Sequence, residues 1–150
     1  MKTIAIVLSL LLVTLISCDM EKQDDPNDVT LTPTEIPAAI TTYVTAHFSP
    51  NTINKAVKEI EDGVVSYEIY LSENIELEFN STYEITNIDS HSKLPDSAIP
   101  QAILDYVTKN YPNNYITDWE LELNHQQVEL NNNVELEFAL NGDFMRVDKD

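Results

Sequence analysis

Ile99-Pro100-Gln101-Ala102-Ile103-Leu104-Asp105-Tyr106-Val107 is the second occurrence of a phrase that the chain has already used, as Ile36-Pro37-Ala38-Ala39-Ile40-Thr41-Thr42-Tyr43-Val44. A second phrase behaves likewise: Asn74-Ile75-Glu76-Leu77-Glu78-Phe79 returns as Asn133-Val134-Glu135-Leu136-Glu137-Phe138. Ten residues after each Phe stands an Asp, Asp89 and then Asp148. Two blocks recurring in the same order mark a duplication, with units at 31–89 and 94–150. In each unit the first block carries apolar residues at i, i+3, i+4, i+7 and i+8: Ile36, Ala39, Ile40, Tyr43 and Val44, then Ile99, Ala102, Ile103, Tyr106 and Val107. That stripe predicts a helix with one face to bury. Pro37 and Pro100 fall in the first turn, where a missing N–H is harmless, and Pro50 and Pro112 end the stripes.

The remainder of each unit alternates with period two, so the helix docks on a sheet. Strands are expected at 53–60, 64–71, 75–79 and 83–88, and again at 116–123, 127–130, 134–140 and 144–147. Asp62-Gly63 and Asn141-Gly142 hold both glycines of the chain and are two-residue hairpin signals, with positive φ expected at both turn positions. Hairpin-length connections require antiparallel pairing. The expected fold is α+β, a tandem repeat of one helix plus a four-stranded antiparallel sheet, with the helices packed on one sheet face.

Alternation also says what faces outward. Ile75, Leu77 and Phe79 alternate with Glu76 and Glu78; Val134, Leu136 and Phe138 alternate with Glu135 and Glu137; Trp119, Leu121 and Leu123 alternate with Glu120 and Glu122. If the apolar set meets the helix, the carboxylates line the opposite face, joined by Glu59, Glu68 and Glu129, with Tyr70 the clearest aromatic among them. Same-face neighbours along a strand lie about 7 Å apart, so each like pair repels by roughly 0.6 kcal/mol in water. Such a surface attracts cations or a basic partner. Glu68, Tyr70, Glu76, Glu78, Glu120, Glu122, Glu129, Glu135 and Glu137 are therefore the candidate partner-binding residues.

Composition bounds the rest. The chain has 150 residues, 8 Lys+Arg against 26 Asp+Glu, and a formal net charge of −18. A nucleic-acid partner needs a positive patch and is excluded on this charge. A single Cys excludes a disulfide framework and a thiolate metal cluster. His47, His91 and His125 show no metal-ligand spacing, two glycines cannot build a phosphate-binding loop, and no EF-hand calcium loop occurs. Asp89-Ser90-His91-Ser92 gathers hydrolase residue types, but consecutive residues cannot adopt a relay geometry, and the stretch lies between the units. No catalytic set, cofactor site or metal site is expected.

The first residues are an address. Lys2 precedes an uncharged run from Ile4 to Ser17, too short for a comfortable bilayer span and suited to a signal peptide over 1–17. Leu15-Ile16-Ser17-Cys18 resembles the lipobox of bacterial lipoproteins, which implies cleavage before Cys18 and a lipid anchor on it. Residues 18–30 are polar and acidic, the composition of a tether, and their start resembles the export tails of Bacteroidetes surface lipoproteins. The expected location is the cell envelope, lipid-anchored to the outer membrane on its periplasmic or its outer side.

With these motifs in hand, the chain resembles the PepSY-like, beta-lactamase-inhibitor-like family of Bacteroidetes lipoproteins. The residues that carry the resemblance are Leu94-Pro95, Ile99-Pro100, Ala102-Ile103, Tyr106-Val107, Tyr111-Pro112, Ile116, Trp119-Glu120, Val134 to Phe138 and Asn141-Gly142. It implies tandem helix-plus-sheet units, a secreted location and a binding or inhibitory role, and it carries no inhibitory residue onto this chain. The function expected is a non-enzymatic module that binds a basic protein or peptide and inhibits an envelope enzyme such as a peptidase. The alternative is a low-affinity Ca²⁺-binding surface protein.

Overall fold

In the computed structural model, residues 28–148 are described. The signal segment, Cys18 and the tether as far as residue 27 lie outside them. Among the described residues, two α-helices and nine strands follow one another. They run β1 (Val29–Thr30), α1 (Ala38–Phe48), β2 (Ile53–Glu61), β3 (Val64–Leu71), β4 (Glu76–Phe79) and β5 (Ile85–Asp89), then α2 (Gln101–Asn110), β6 (Ile116–Leu121), β7 (His125–Leu130), β8 (Glu135–Ala139) and β9 (Phe144–Asp148).

Both helices begin one residue after a proline. The carbonyl of Pro37 accepts from the amides of Ile40 and Thr41 at 3.0 and 3.2 Å, and that of Pro100 from Ile103 and Leu104 at the same distances. The prolines thus sit just ahead of the first turn. α1 contains three threonines, which favour helix weakly; their hydroxyls donate back to the carbonyls of Ala38 and Thr41. A helix of this length is marginal alone. What holds each one is the buried stripe: Ile40, Val44 and Phe48 on α1, Ile103 and Val107 on α2. Burying each such side chain contributes about 1.5–3 kcal/mol.

The sheet corrects one expectation. The strands do not form two sheets; they form a single nine-stranded antiparallel sheet in sequence order, β1 to β9. The joint is the β5–β6 ladder, where Asn87 faces Glu120, Ile88 faces Trp119 and Asp89 faces Asp118. Period-two patterning specifies which way side chains point but not whether the last strand of one unit pairs with the first of the next. β1 is a second difference: Val29 and Thr30, inside the segment read as tether, pair with Lys58 and Val57 of β2.

On the helix side, one rank of apolar residues crosses eight strands in register: Ala56, Ile69, Leu77 and Ile88, continued by Trp119, Val128, Leu136 and Val147. All but the edge residue Val147 are buried. The units pack alike: the Tyr43 ring meets Phe79 edge-on at 5.4 Å, and Tyr106 meets Phe138 edge-on at the same distance. Trp119 donates its indole N–H to Gln126, a buried amide that also donates to the carbonyls of Ala139 and Leu140. Leu121 and Leu123 do not join this layer. β6 ends at Leu121, so Leu123 falls in the turn and is 97% exposed.

The two glycine turns differ. At Asp62-Gly63 both residues have positive φ, 51° and 83°, as a tight two-residue hairpin demands. At Asn141-Gly142 only Gly142 does, at 86°. The Ala139 amide there donates to Asp143 and the Gly142 amide to Ala139, with a register shift between Glu137 and Phe138. This is a longer, bulged turn. The first unit repeats it with Tyr83 (φ 65°) in the place of Gly142, and a register shift between Glu78 and Phe79.

Candidate functional site: an acidic sheet face

The face opposite the helices follows from the same register. Residues directly across an antiparallel ladder share a face, with Cβ atoms about 4.5–5.5 Å apart. One rank runs Lys55, Tyr70, Glu76 and Asp89 in the first unit, then Asp118, Glu129, Glu135 and Asp148 in the second. A parallel rank runs Val57, Glu68, Glu78 and Asn87, then Glu120, Gln127, Glu137 and Arg146. The first rank therefore holds six carboxylates on six successive strands. Between Lys55 at one end and Arg146 at the other, the register puts no basic residue in either rank.

Eight of the nine sheet residues expected from the sequence stand in these ranks: Glu68, Tyr70, Glu76, Glu78, Glu120, Glu129, Glu135 and Glu137. Glu122 does not. It follows the end of β6 in the hairpin turn, its amide donating to the carbonyl of His125 at 3.0 Å. Glu59 lies on the same strand as Lys55, paired with Ser66. Cys18 lies outside the described residues.

Local chemistry splits the face. At the β3–β4 end, Glu68, Glu76 and Glu78 each bring a carboxylate oxygen within 4.8 Å of the others. Glu68 is 7% exposed and accepts a 2.5 Å hydrogen bond from the Tyr70 hydroxyl. The Lys55 ammonium lies 5.3 Å from the centre of the Tyr70 ring, a cation–π contact. Burial, the bond to Glu68 and the charges of Glu76 and Glu59 together push the Tyr70 phenol up, so it stays a donor. At the β8–β9 end, Glu137 is buried and takes a 2.5 Å ion pair from Arg146. Gln127 donates to Glu135 at 2.9 Å and Asn133 to Glu129 at 3.1 Å.

The middle holds a pair that only the pairing of two strands brings together. Asp118 sits opposite Asp89 across the β5–β6 ladder. Burial pushes its carboxyl up to about 7, with Asp89, Glu120, Glu129 and Glu135 adding to the rise. Burial and Glu122 raise Glu120 as well, while His125 works against them. Two full charges about 5 Å apart at a protein surface repel by about 3 kcal/mol before salt screens them. Asp118 belongs to the alternation Asp118, Glu120, Glu122, which is a signal in the sequence; Asp89 becomes part of the site only through the pairing.

Fold and face together define a class: a tandem α+β protein with a helical layer on one side of a continuous sheet and an acid surface on the other. The chain belongs to the PepSY-like family described as "Putative beta-lactamase-inhibitor-like, PepSY-like", whose model matches residues 23–87 and 65–146. No curated protein matches it. Among solved structures it is similar to a "putative calcium-regulated periplasmic protein" of Bacteroides thetaiotaomicron. The two are 28% identical over 81% of this chain and 97% of the other, with a TM-score of 0.76. Two proteins of Bacteroides vulgatus, each described as a "putative periplasmic protein", are also similar. One is 25% identical over 83% of this chain and 98% of its own, with a TM-score of 0.77. The other is 30% identical over 81% and 99%, with a TM-score of 0.76. These periplasmic descriptions are consistent with a cell-envelope location.

Proposed function

We propose that the protein is a non-enzymatic binding module of the cell envelope, anchored through Cys18, whose acidic sheet face docks a basic protein or peptide and thereby restrains an envelope enzyme such as a peptidase. The observation that carries this is the continuity of the two ranks across both units. Strands are spaced by about 4.8 Å, so a rank crossing eight of them extends roughly 34 Å. That is the footprint of a macromolecule rather than of one ion. A field of one sign over such a length steers and orients a partner carrying lysines and arginines.

The test is crosslinking in intact cells with the anchored protein, beside a variant with Glu76, Glu129 and Glu135 all changed to Gln. A basic partner captured by the native face and lost from the variant supports the reading. The same partner retained in full removes the face from consideration.

A second reading rests on its own observation. Three carboxylate oxygens within 4.8 Å of one another, from Glu68, Glu76 and Glu78, suit a hard cation that takes oxygen ligands at 2.3–2.6 Å. A similar structure is described as a "putative calcium-regulated periplasmic protein". In this reading the β3–β4 end of the face binds Ca²⁺, and the ion adjusts how the rest of the face engages its partner. Calorimetry decides it: a saturable Ca²⁺ heat abolished by Glu78→Gln supports the site, and no heat at millimolar Ca²⁺ removes it.

A further inference from the structure

We propose that the seam between the two units is a proton-operated joint, in which loss of a proton from Asp118 sets a second negative charge against Asp89 across the ladder that holds the halves of the sheet together. Three residue pairs make that ladder: Asn87 with Glu120, Ile88 with Trp119, and Asp89 with Asp118. It is shorter than the neighbouring ladders within the units, such as the five pairs of β6 with β7. On its helix side Ile88 and Trp119 are buried and packed. On its acid side the end pair is two aspartates, and like charges directly opposite each other weaken a ladder.

The groups that face Asp118 come from every neighbouring strand. Asp89 opposes it from β5, Glu120 stands two residues along β6, Glu129 pairs with it from β7, and Glu135 follows from β8. All are acids, and the nearest bases within the ranks are Lys55 and Arg146 at the far ends. His125 is felt at Glu120. Asp118 is half-buried, so its charge is also poorly hydrated. Burial and these acids hold its carboxyl at about 7, where an ordinary aspartate would long be ionised.

The sign follows from linkage. A carboxyl raised in the closed ladder keeps its proton there and would release it when the ladder opens. Closure is therefore favoured at low pH, and that advantage drains away as pH rises toward 7. Above that pH both states are ionised and the change levels off. The joint is loosest above neutrality and tightens on mild acidification. It requires no partner on the face, and its test is independent of whether one docks.

The experiment is a carbon-detected NMR titration of the side-chain carboxyls in the full chain between pH 4 and 9. Asp118 is expected to titrate near 7, and Asp89→Asn to move that midpoint down by half a pH unit or more. If that variant fails to fold, Glu129→Gln is read in its place. Hydrogen exchange at the Ser90 amide, which donates to Thr117 beside the pair at 3.0 Å, reports opening of the ladder. Corrected for intrinsic exchange, opening is expected to rise by up to about tenfold per pH unit below the midpoint and to level off above it. An Asp118 midpoint near 4, a midpoint unmoved by the variant that folds, or opening that ignores pH would each overturn the joint.

Discussion

Glu78 and Glu137 hold the same place in the two units, and they face different residues: Asn87 stands across the ladder from Glu78, Arg146 across from Glu137. The duplication has preserved the acid and varied its partner. One end of the face is thus neutralised by a guanidinium, while the other collects three carboxylates within 4.8 Å. The two units present one shape with unlike charge.

That difference has a measurable consequence at Arg146. Glu137 is buried, and Arg146 supplies it with a charge-assisted bond of 2.5 Å. Arg146→Ala leaves the buried carboxylate without that donor and is expected to lower the stability of the fold. Urea unfolding at pH 7 checks it. Arg146→Lys should recover part of the loss, since a lysine restores the charge but not the planar fork.

The two glycines separate space from backbone. A Cβ at Gly142 would lie 2.6 Å from the Cβ of Ala102 on α2, at φ 86°; at Gly63 it would meet nothing within 4 Å, at φ 83°. Gly63→Ala therefore bears only the left-handed backbone penalty of about 1–2 kcal/mol. Gly142→Ala adds an overlap costing about 1–3 kcal/mol more. Thermal unfolding should rank Gly142→Ala clearly below Gly63→Ala.

The buried rank predicts a symmetric pair. Leu77 and Leu136 are fully buried and equivalent in the two units. Leu77→Ala and Leu136→Ala should each lose about 2–5 kcal/mol. Because one sheet runs through both units, each variant should unfold in a single transition, observed by circular dichroism and tryptophan fluorescence together.

Asp118 predicts a pH dependence of definite sign. Its folded carboxyl lies at about 7, above its unfolded value, so its contribution is complete below pH 4 and is lost as pH rises through 7. Asp118→Asn should unfold at higher urea than the native chain at pH 8, with the gap narrowing as pH falls and closing at about pH 4, where both folded and unfolded carboxyls hold their proton. Equal midpoints at pH 8 would contradict the assignment.

Much of this was legible in the sequence, for identifiable reasons. The stripes from Ile36 and Ile99 need a helix, and the alternations around Leu77 and Leu136 need a sheet face; both patterns report side-chain direction, which is a local property. The seam is not local. Nothing in the composition of β5 or β6 says that Asp89 will face Asp118, because that depends on how 90–100 carries the chain to α2 and back to the sheet edge. Strand ends are similarly hidden: Leu123 continues the alternation of Trp119 and Leu121, yet the turn that forms at Glu122 takes it out of the core. Val29 and Thr30 sit in polar surroundings, and they become a strand because β2 offers them an edge.

The measurement that tests the account most directly is the intact-cell crosslinking of the native protein against its variant with Glu76, Glu129 and Glu135 all changed to Gln, repeated at low and high salt. The account predicts a basic partner bound by the native face, weakened by salt and lost from the variant. A partner held equally by both proteins at both salts would contradict it.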